Sequence, residues 1–110
     1  MELKFKNVEA ITKTKKDCIV ATFRNGTLKA GYVGNVTFVD DEGVAFGRGY
    51  IHNTEVYRFY DITAYATDAA FDPACRTFSG LKSRMNEVYG KEFDECGYIT
   101  VMYFSVDVIF

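Results

Sequence analysis

The stretch Tyr98-Ile-Thr-Val-Met-Tyr-Phe-Ser-Val-Asp-Val-Ile-Phe110 decides the fold class of this chain. Starting at its first residue, every second side chain is apolar or aromatic except one threonine, which is the period of a β-strand. The intervening positions are mixed, but they also contain several large apolar side chains. A strand that is apolar on both faces is typical of the centre of a sheet. The stretch therefore predicts a long central strand.

Short apolar runs separated by turn residues fill the first half of the chain. Leu3 and Phe5 alternate with lysines, and the pattern resumes as far as Ile11, which predicts a strand with a bulge. A second strand is predicted over Cys18–Phe23, and Asn25-Gly26 is a hairpin signal because both residues tolerate positive φ. Further strands are predicted over 27–33, 36–39 and 44–48. The short connections favour an antiparallel meander.

The run 55–67 fits two structures. Its tyrosines and threonines, together with Phe59 and Ile62, are typical of a strand. This composition favours a strand, and a helix is the rival interpretation that the sequence leaves open.

One amphipathic helix is predicted over about 73–89. Asp72 is a suitable N-cap, and Pro73 suits the first helical position. Gly80 indicates either close packing onto a neighbour or a later helix start, and Gly90 is placed to end the helix. Apolar residues recur at helical spacing between these limits: Ala74, Phe78, Leu81, Met85, Val88 and Tyr89.

Together these elements predict a single α+β domain spanning residues 1–110. We expect an antiparallel sheet of about six or seven strands, made of an N-terminal meander and the long C-terminal strand. The one amphipathic helix packs on one face of that sheet.

Net charge and cysteine spacing indicate which partners the chain binds and in which compartment it works. The formal net charge is −2, so neither nucleic acid nor a membrane is expected as a partner. Cys18, Cys75 and Cys96 lack paired spacing, which fits free thiols in the cytoplasm better than a disulfide framework. Neither a signal peptide nor a membrane-spanning run is predicted.

An aromatic content of 16% predicts self-association. A domain of this size has more aromatic side chains than a small core hides, and aromatic residues are enriched at interfaces. Positive charge predominates in residues 1–35 and negative charge in residues 36–75. Two opposite patches suit a homo-oligomer, although solvated faces are the simpler interpretation.

No pattern indicates a metal or a cofactor, and we expect neither; catalytic residues are sparse, which favours a non-enzymatic function over an enzyme. His52 is the single histidine, and the cysteines lack the paired spacing of a structural zinc site. Cys75 in the first helical turn could act as a nucleophile if the fold brought His52 near it. A buried thiol and a surface histidine are the simpler interpretation.

The start of the predicted helix is the strongest candidate site. A helix N-terminus offers free N–H groups and positive potential to an anion, and cations, hydroxyls and an aromatic ring suit a phosphate-bearing ligand such as a nucleotide. Asp68 and Asp72 weigh against an anion there, and a capped helix with a solvated basic face is the alternative. The predicted ligand-binding residues are Arg76, Thr77, Ser79, Lys82, Arg84 and Tyr65.

Three functions follow, in order of preference. The first is a non-enzymatic intracellular protein that sequesters a nucleotide-like ligand at the helix N-terminus or a subunit interface. The second is an inhibitor or adaptor that grips a host protein through a sheet edge or an aromatic patch. The third is a small hydrolase that depends on a cysteine or on carboxylates. In size and composition the chain resembles small accessory proteins of bacteriophages and mobile elements, which implies sequestration or inhibition and no particular site residue.

Overall fold

The computed structural model describes residues 1–27 and 29–110. Within them the chain forms five β-strands and three α-helices, together with short 3-10 turns. No helix in these two ranges is long and apolar enough to cross a lipid bilayer. The elements are β1 Glu2–Lys4, α1 Val8–Thr12, β2 Val20–Asn25, β3 Gly34–Val39, β4 Ala45–Arg58, α2 Ala64–Asp68, α3 Phe78–Tyr89 and β5 Tyr98–Ile109.

The strands form one curled, mixed sheet in the order β1-β3-β4-β5-β2. The C-terminal strand lies in the interior of the sheet rather than at an edge, since β5 pairs with β4 on one side and with β2 on the other. The prediction of a purely antiparallel sheet of six or seven strands is wrong, because the described sheet has five strands and β1 runs parallel to β3. Residues 8–12 form α1, in which Asn7 accepts a hydrogen bond from the Ala10 N–H and so caps a helix where a bulged strand was expected.

The predicted hairpin at Asn25-Gly26 does not form. β2 pairs along its whole length with β5 rather than with a following strand, so β5 has a hydrogen-bonded neighbour on each edge. Gly26 does adopt a turn conformation, with φ 80°. Its N–H donates to the Tyr98 carbonyl, and its own carbonyl accepts from the Thr100 hydroxyl. The chain therefore turns here but leaves the sheet.

The run 55–67 combines both predicted structures. β4 continues to Arg58, a 3-10 turn covers Phe59–Asp61, and α2 follows with Thr63 as its cap. The strand stops at Phe59, whose side chain is fully buried under α3.

The predicted helix over 73–89 is two elements. Pro73–Cys75 forms a 3-10 turn capped by Asp72, and α3 begins afterwards with Thr77 as its N-cap. At Gly80 a β-carbon would overlap the Ala74 carbonyl oxygen, so the turn packs directly on the backbone of α3. Both interpretations of Gly80 are therefore correct: the 3-10 turn packs closely against it, and the α-helix starts later than Pro73.

Apolar clusters fill both faces of the sheet. Inside the curl, Phe38 and Phe104 lie with ring centroids 5.7 Å apart, and Phe5 packs against both. On the outer face, α2 and α3 cover the half of β5 that runs from Ile99 to Tyr103. The remaining half of the outer face is not covered by either helix.

Candidate functional site

A cleft of about 460 Å³ lies where the two edge strands of the curled sheet approach each other. One side is formed by the end of β1 and the residues after it, the other by β2, and α3 closes one end. We call it the seam cleft. Its lining includes Lys4, Phe5, Arg24, Phe71, Arg84 and Tyr89.

Arg24 bridges the opening between the edge strands. Its Nη1 donates to the Lys4 carbonyl oxygen at 2.6 Å, and its guanidinium lies 4.7 Å from the centre of the Phe5 ring. Burial lowers the pKa of Arg24, and the neighbouring Tyr89 hydroxyl acts in the opposite direction. The side chain nevertheless stays charged, because guanidinium does not lose its proton in proteins. Its Nε–H is buried and has no hydrogen-bond partner in the described part of the chain.

Arg84 enters the same cleft from α3. Its Nη2 lies 3.2 Å from an oxygen of Asp72, which is buried, and its Nη1 lies 3.4 Å from Glu87, which is exposed. The other Asp72 oxygen accepts from the Ala74 N–H. The Arg84 Nε–H is also buried without a partner among residues 1–27 and 29–110. The cleft therefore holds two guanidinium groups that each keep an unused donor.

The two arginines differ in their counter-charges. Arg84 is neutralised by Asp72 and Glu87. For Arg24, no carboxylate lies within ion-pair distance in the residues that the structure describes. Lys4 and Lys6 add positive charge at the rim, against one further acid, Asp41. Arg24 is thus the centre of excess positive charge in the cleft.

Aromatic and aliphatic side chains form the walls. The rings of Phe5 and Phe71 meet edge to face with centroids 5.4 Å apart, and Phe23 and Tyr89 also line the space. Cys75 also lines the cleft. The pKa of its thiol is raised to about 11, first by burial and then by the Asp72 carboxylate. At neutral pH this thiol is therefore protonated, and a protonated thiol is a poor nucleophile.

The six residues predicted from the sequence lie on different surfaces. Arg84 alone lines the seam cleft. Arg76 borders a neighbouring cavity and donates its Nε–H to the Ala70 carbonyl at 3.1 Å. Lys82 pairs with Glu95 at 2.7 Å on the far side of α3.

The hydroxyls and the ring are also separated. Thr77 accepts the Gly80 N–H, so its oxygen already serves the helix N-terminus. Ser79 is exposed in the first turn of α3. Tyr65 lies in α2, is 74% exposed and packs against Tyr103 of β5. Of the six predicted residues, one therefore belongs to the cleft.

Sequence reasoning missed Lys4 and Arg24. Arg24 directly precedes an apparent hairpin turn and looked like an exposed strand end. Only the curl of the sheet brings it to Lys4, which is 20 residues away in the chain. No local pattern carries that information.

Cys75 and His52 do not form a catalytic pair. The His52 Nε2 lies 2.8 Å from the Ser105 hydroxyl on the outer face of the sheet, whereas Cys75 is at the base of the seam cleft. Ser105 is itself buried within the sheet, away from the described cavities. Over the described residues no group of three or more metal-binding side chains converges.

Comparison with known proteins supports the fold. No family model and no curated protein matches the sequence. Among solved structures, the chain resembles the crystal structure of protein EF3133 from Enterococcus faecalis V583, described by the family model DUF984. The TM-score is 0.63 at 10% sequence identity, and the match covers 92% of this chain and 66% of that protein. At this identity the likeness concerns the fold alone.

Proposed function

We propose that this protein is a small non-enzymatic binding protein that holds a phosphate-bearing ligand in the seam cleft. The observation that carries the proposal is the pair of buried, unpartnered Nε–H groups on Arg24 and Arg84, which line one cleft in the described chain. A buried donor without a partner is costly, so a ligand gains from binding when a small rotation of either side chain brings this donor to the ligand's acceptor.

A phosphate group is the acceptor that fits best. Guanidinium groups bind phosphate through two parallel hydrogen bonds, and these bonds are stronger than neutral ones. Arg24 lacks a neighbouring carboxylate among the described residues, and Lys4 and Lys6 lie beside it at the rim. A phosphate at Arg24 would therefore find positive charge that is not already neutralised.

A nucleotide-like ligand also suits the walls. Phe5, Phe23, Phe71 and Tyr89 offer aromatic surface within the same cleft as the arginines. Aromatic side chains can stack on a base, with a gain of about 1–3 kcal/mol per base. The volume of about 460 Å³ is in the range of small-ligand pockets.

A thermal-shift screen tests the proposal. Nucleoside 5′-monophosphates, inorganic pyrophosphate and plain sodium chloride at equal ionic strength are the probes. We expect at least one phosphate compound to raise the melting temperature of the wild type but not of Arg24→Gln. Arg76→Gln is the matched control and should respond like the wild type, because Arg76 borders a different cavity. Equal responses from all three proteins, or no response from any, would contradict the proposal.

A protein-binding function is the second candidate, and the edge of β2 favours it. The N–H and carbonyl of Ala21 point away from β5, since they bond to the Ala69 carbonyl and the Phe71 N–H. In an antiparallel ladder alternate residues face the same way, so the main chain of Phe23 also points outward, into the seam cleft. Its outward groups have no main-chain partner in the described chain. An extended peptide could add to this edge as a further strand.

A matched pair of variants separates the two candidates. Phe23→Pro removes the outward N–H, and Phe23→Val keeps it while shortening the side chain equally. Strand addition predicts that peptides selected from a displayed random library bind Phe23→Val but not Phe23→Pro. A library that enriches no sequence on the wild type rejects this candidate and leaves the phosphate proposal untouched.

A further inference from the structure

The uncovered half of the outer sheet face carries a compact set of aromatic and charged side chains. Residues of β4 alternate here between buried and exposed, and the exposed ones point outward. Val108 of β5 and Phe110, which directly follows β5, add two more outward side chains. We call this surface the β4–β5 face and define it by Arg48, Tyr50, His52, Val108 and Phe110.

Cross-strand contacts place these residues side by side. Arg48 pairs with Val108 across the ladder, and the Arg48 guanidinium lies 5.6 Å from the centre of the Phe110 ring. The rings of Tyr50 and His52 meet with centroids 5.1 Å apart. Tyr50, Val108 and Phe110 are 38%, 38% and 66% exposed. A cluster of large solvent-exposed apolar side chains marks an interaction surface more often than a single exposed apolar side chain does.

The same face carries one charge of each sign. A β-bulge sets Asp107 and Val108 together opposite Arg48, so both side chains lie on the outward side. Asp107 and Arg48 are both exposed. Neither takes part in an ion pair within the residues that the structure describes.

We infer that the β4–β5 face docks a second copy of this chain about a two-fold axis. In a two-fold contact the same patch is used twice, so a surface must be complementary to itself. A face that carries one cation, one carboxylate and apolar side chains around them meets that condition. Arg48 of each protomer faces Asp107 of its partner beside the axis, and Tyr50, Val108 and Phe110 pack around these pairs.

The size of the molecule is compatible with this contact. A standard interface removes about 800 Å² from each partner, which is roughly one eighth of the 6170 Å² accessible surface of this chain. The face is remote from the seam cleft, because β2 and β1 border the cleft whereas β4 and the far half of β5 carry the face. Dimerisation and ligand binding are therefore independent, and each can fail without the other.

Charge exchange at Arg48 and Asp107 tests the inference. Sedimentation velocity over roughly a hundredfold range of concentration measures self-association. Wild type should dimerise, and Arg48→Asp and Asp107→Arg should each weaken the dimer by roughly tenfold or more, since each creates two like-charge contacts. An equal mixture of the two variants should recover a heterodimer, because every contact then joins opposite charges. Arg58→Asp is the matched control, as Arg58 stacks on Tyr98 outside the face, and it should dimerise like wild type.

Three results would overturn the inference. A wild type that stays monomeric at every concentration excludes the dimer. A dimer that survives both single substitutions uses another surface, and variants that do not recover when mixed lack the proposed pairing. Because both positions are exposed, the variants should fold, and circular dichroism with a thermal melt verifies this.

Discussion

The guanidinium of Arg24 donates to the carbonyl oxygen of Lys4 at 2.6 Å and so joins the two edges of the sheet. β1 and β2 belong to opposite ends of the strand order, yet this side chain connects them where no ladder does. The cleft exists because the sheet curls far enough to bring its edges together without pairing them along their length. Arg24 therefore contributes both to the stability of the fold and to the proposed binding site.

Arg24→Met should destabilise the fold by about 1–2 kcal/mol, because a charged hydrogen bond across the seam and its stacking on Phe5 are lost. Urea denaturation measures the change in the free energy of unfolding. Arg58→Met is the control, since Arg58 is exposed and stacks on Tyr98, and it should cost at most about 0.5 kcal/mol. Equal losses for the two variants would show that Arg24 does not hold the edges together.

Asp72→Asn should destabilise the protein by about 1–3 kcal/mol, because it leaves the partly buried Arg84 without its buried counter-charge. Asparagine can still accept from the Ala74 N–H, so the cap of the 3-10 turn is retained. Glu87→Gln is the matched control: Glu87 contacts the same arginine, but its side chain is 70% exposed, so little change is expected. If denaturation shows that Glu87→Gln lowers the free energy of unfolding more than Asp72→Asn does, Asp72 is not the main counter-charge of Arg84.

Stability should fall with rising pH in the alkaline range because of Cys75. The pKa of its thiol is raised from 9.0 to about 11 in the folded protein. Between these values the unfolded chain has released a proton that the folded chain still holds, so the free energy of unfolding decreases as pH rises.

The Cys75→Ala variant should lose this part of the pH dependence. Urea denaturation at roughly pH 8 and pH 10 in the presence of reductant measures it. Cys18→Ala, which removes an exposed thiol, should keep the wild-type slope. An unchanged slope in Cys75→Ala would mean that another group causes it.

Gly49→Ala should cost more than about 2 kcal/mol. A β-carbon there would overlap the Ser105 carbonyl oxygen and lie 2.6 Å from the Phe38 ring, and a well-packed core resists added atoms. Arg58→Ala, at an exposed position of the same strand outside the β4–β5 face, should change the melting temperature little. A Gly49→Ala protein as stable as Arg58→Ala would contradict the packing of Phe38 on this strand.

The sequence predicts the elements that depend on local pattern. The alternation from Tyr98 to Phe110 identifies β5 and its place in the interior of the sheet, and the apolar spacing around Leu81 and Met85 identifies α3. It does not predict which strands pair, because the choice between β3 and β5 as the partner of β2 depends on contacts far apart in the chain. The parallel pairing of β1 has the same origin.

The candidate site was predictable only in part, for the same reason. Arg84 lies on the helix that periodicity finds, so a basic face on that helix could be proposed. Arg24 and Lys4 come together only through the closure of the sheet. The buried Nε–H groups of Arg24 and Arg84 are a property of packing, which no spacing of residues reveals.

The side-chain Nε–H signals of arginine test the central claim most directly. The chain contains five arginines, so their ¹⁵N–¹H cross-peaks can be assigned by single substitution and followed during titration with a nucleoside monophosphate or pyrophosphate. The proposal predicts that the Arg24 and Arg84 signals shift with one common saturation curve, while those of Arg48, Arg58 and Arg76 stay in place. Signals of Arg24 and Arg84 that do not move with any of these probes, or a shift confined to Arg76, would contradict it.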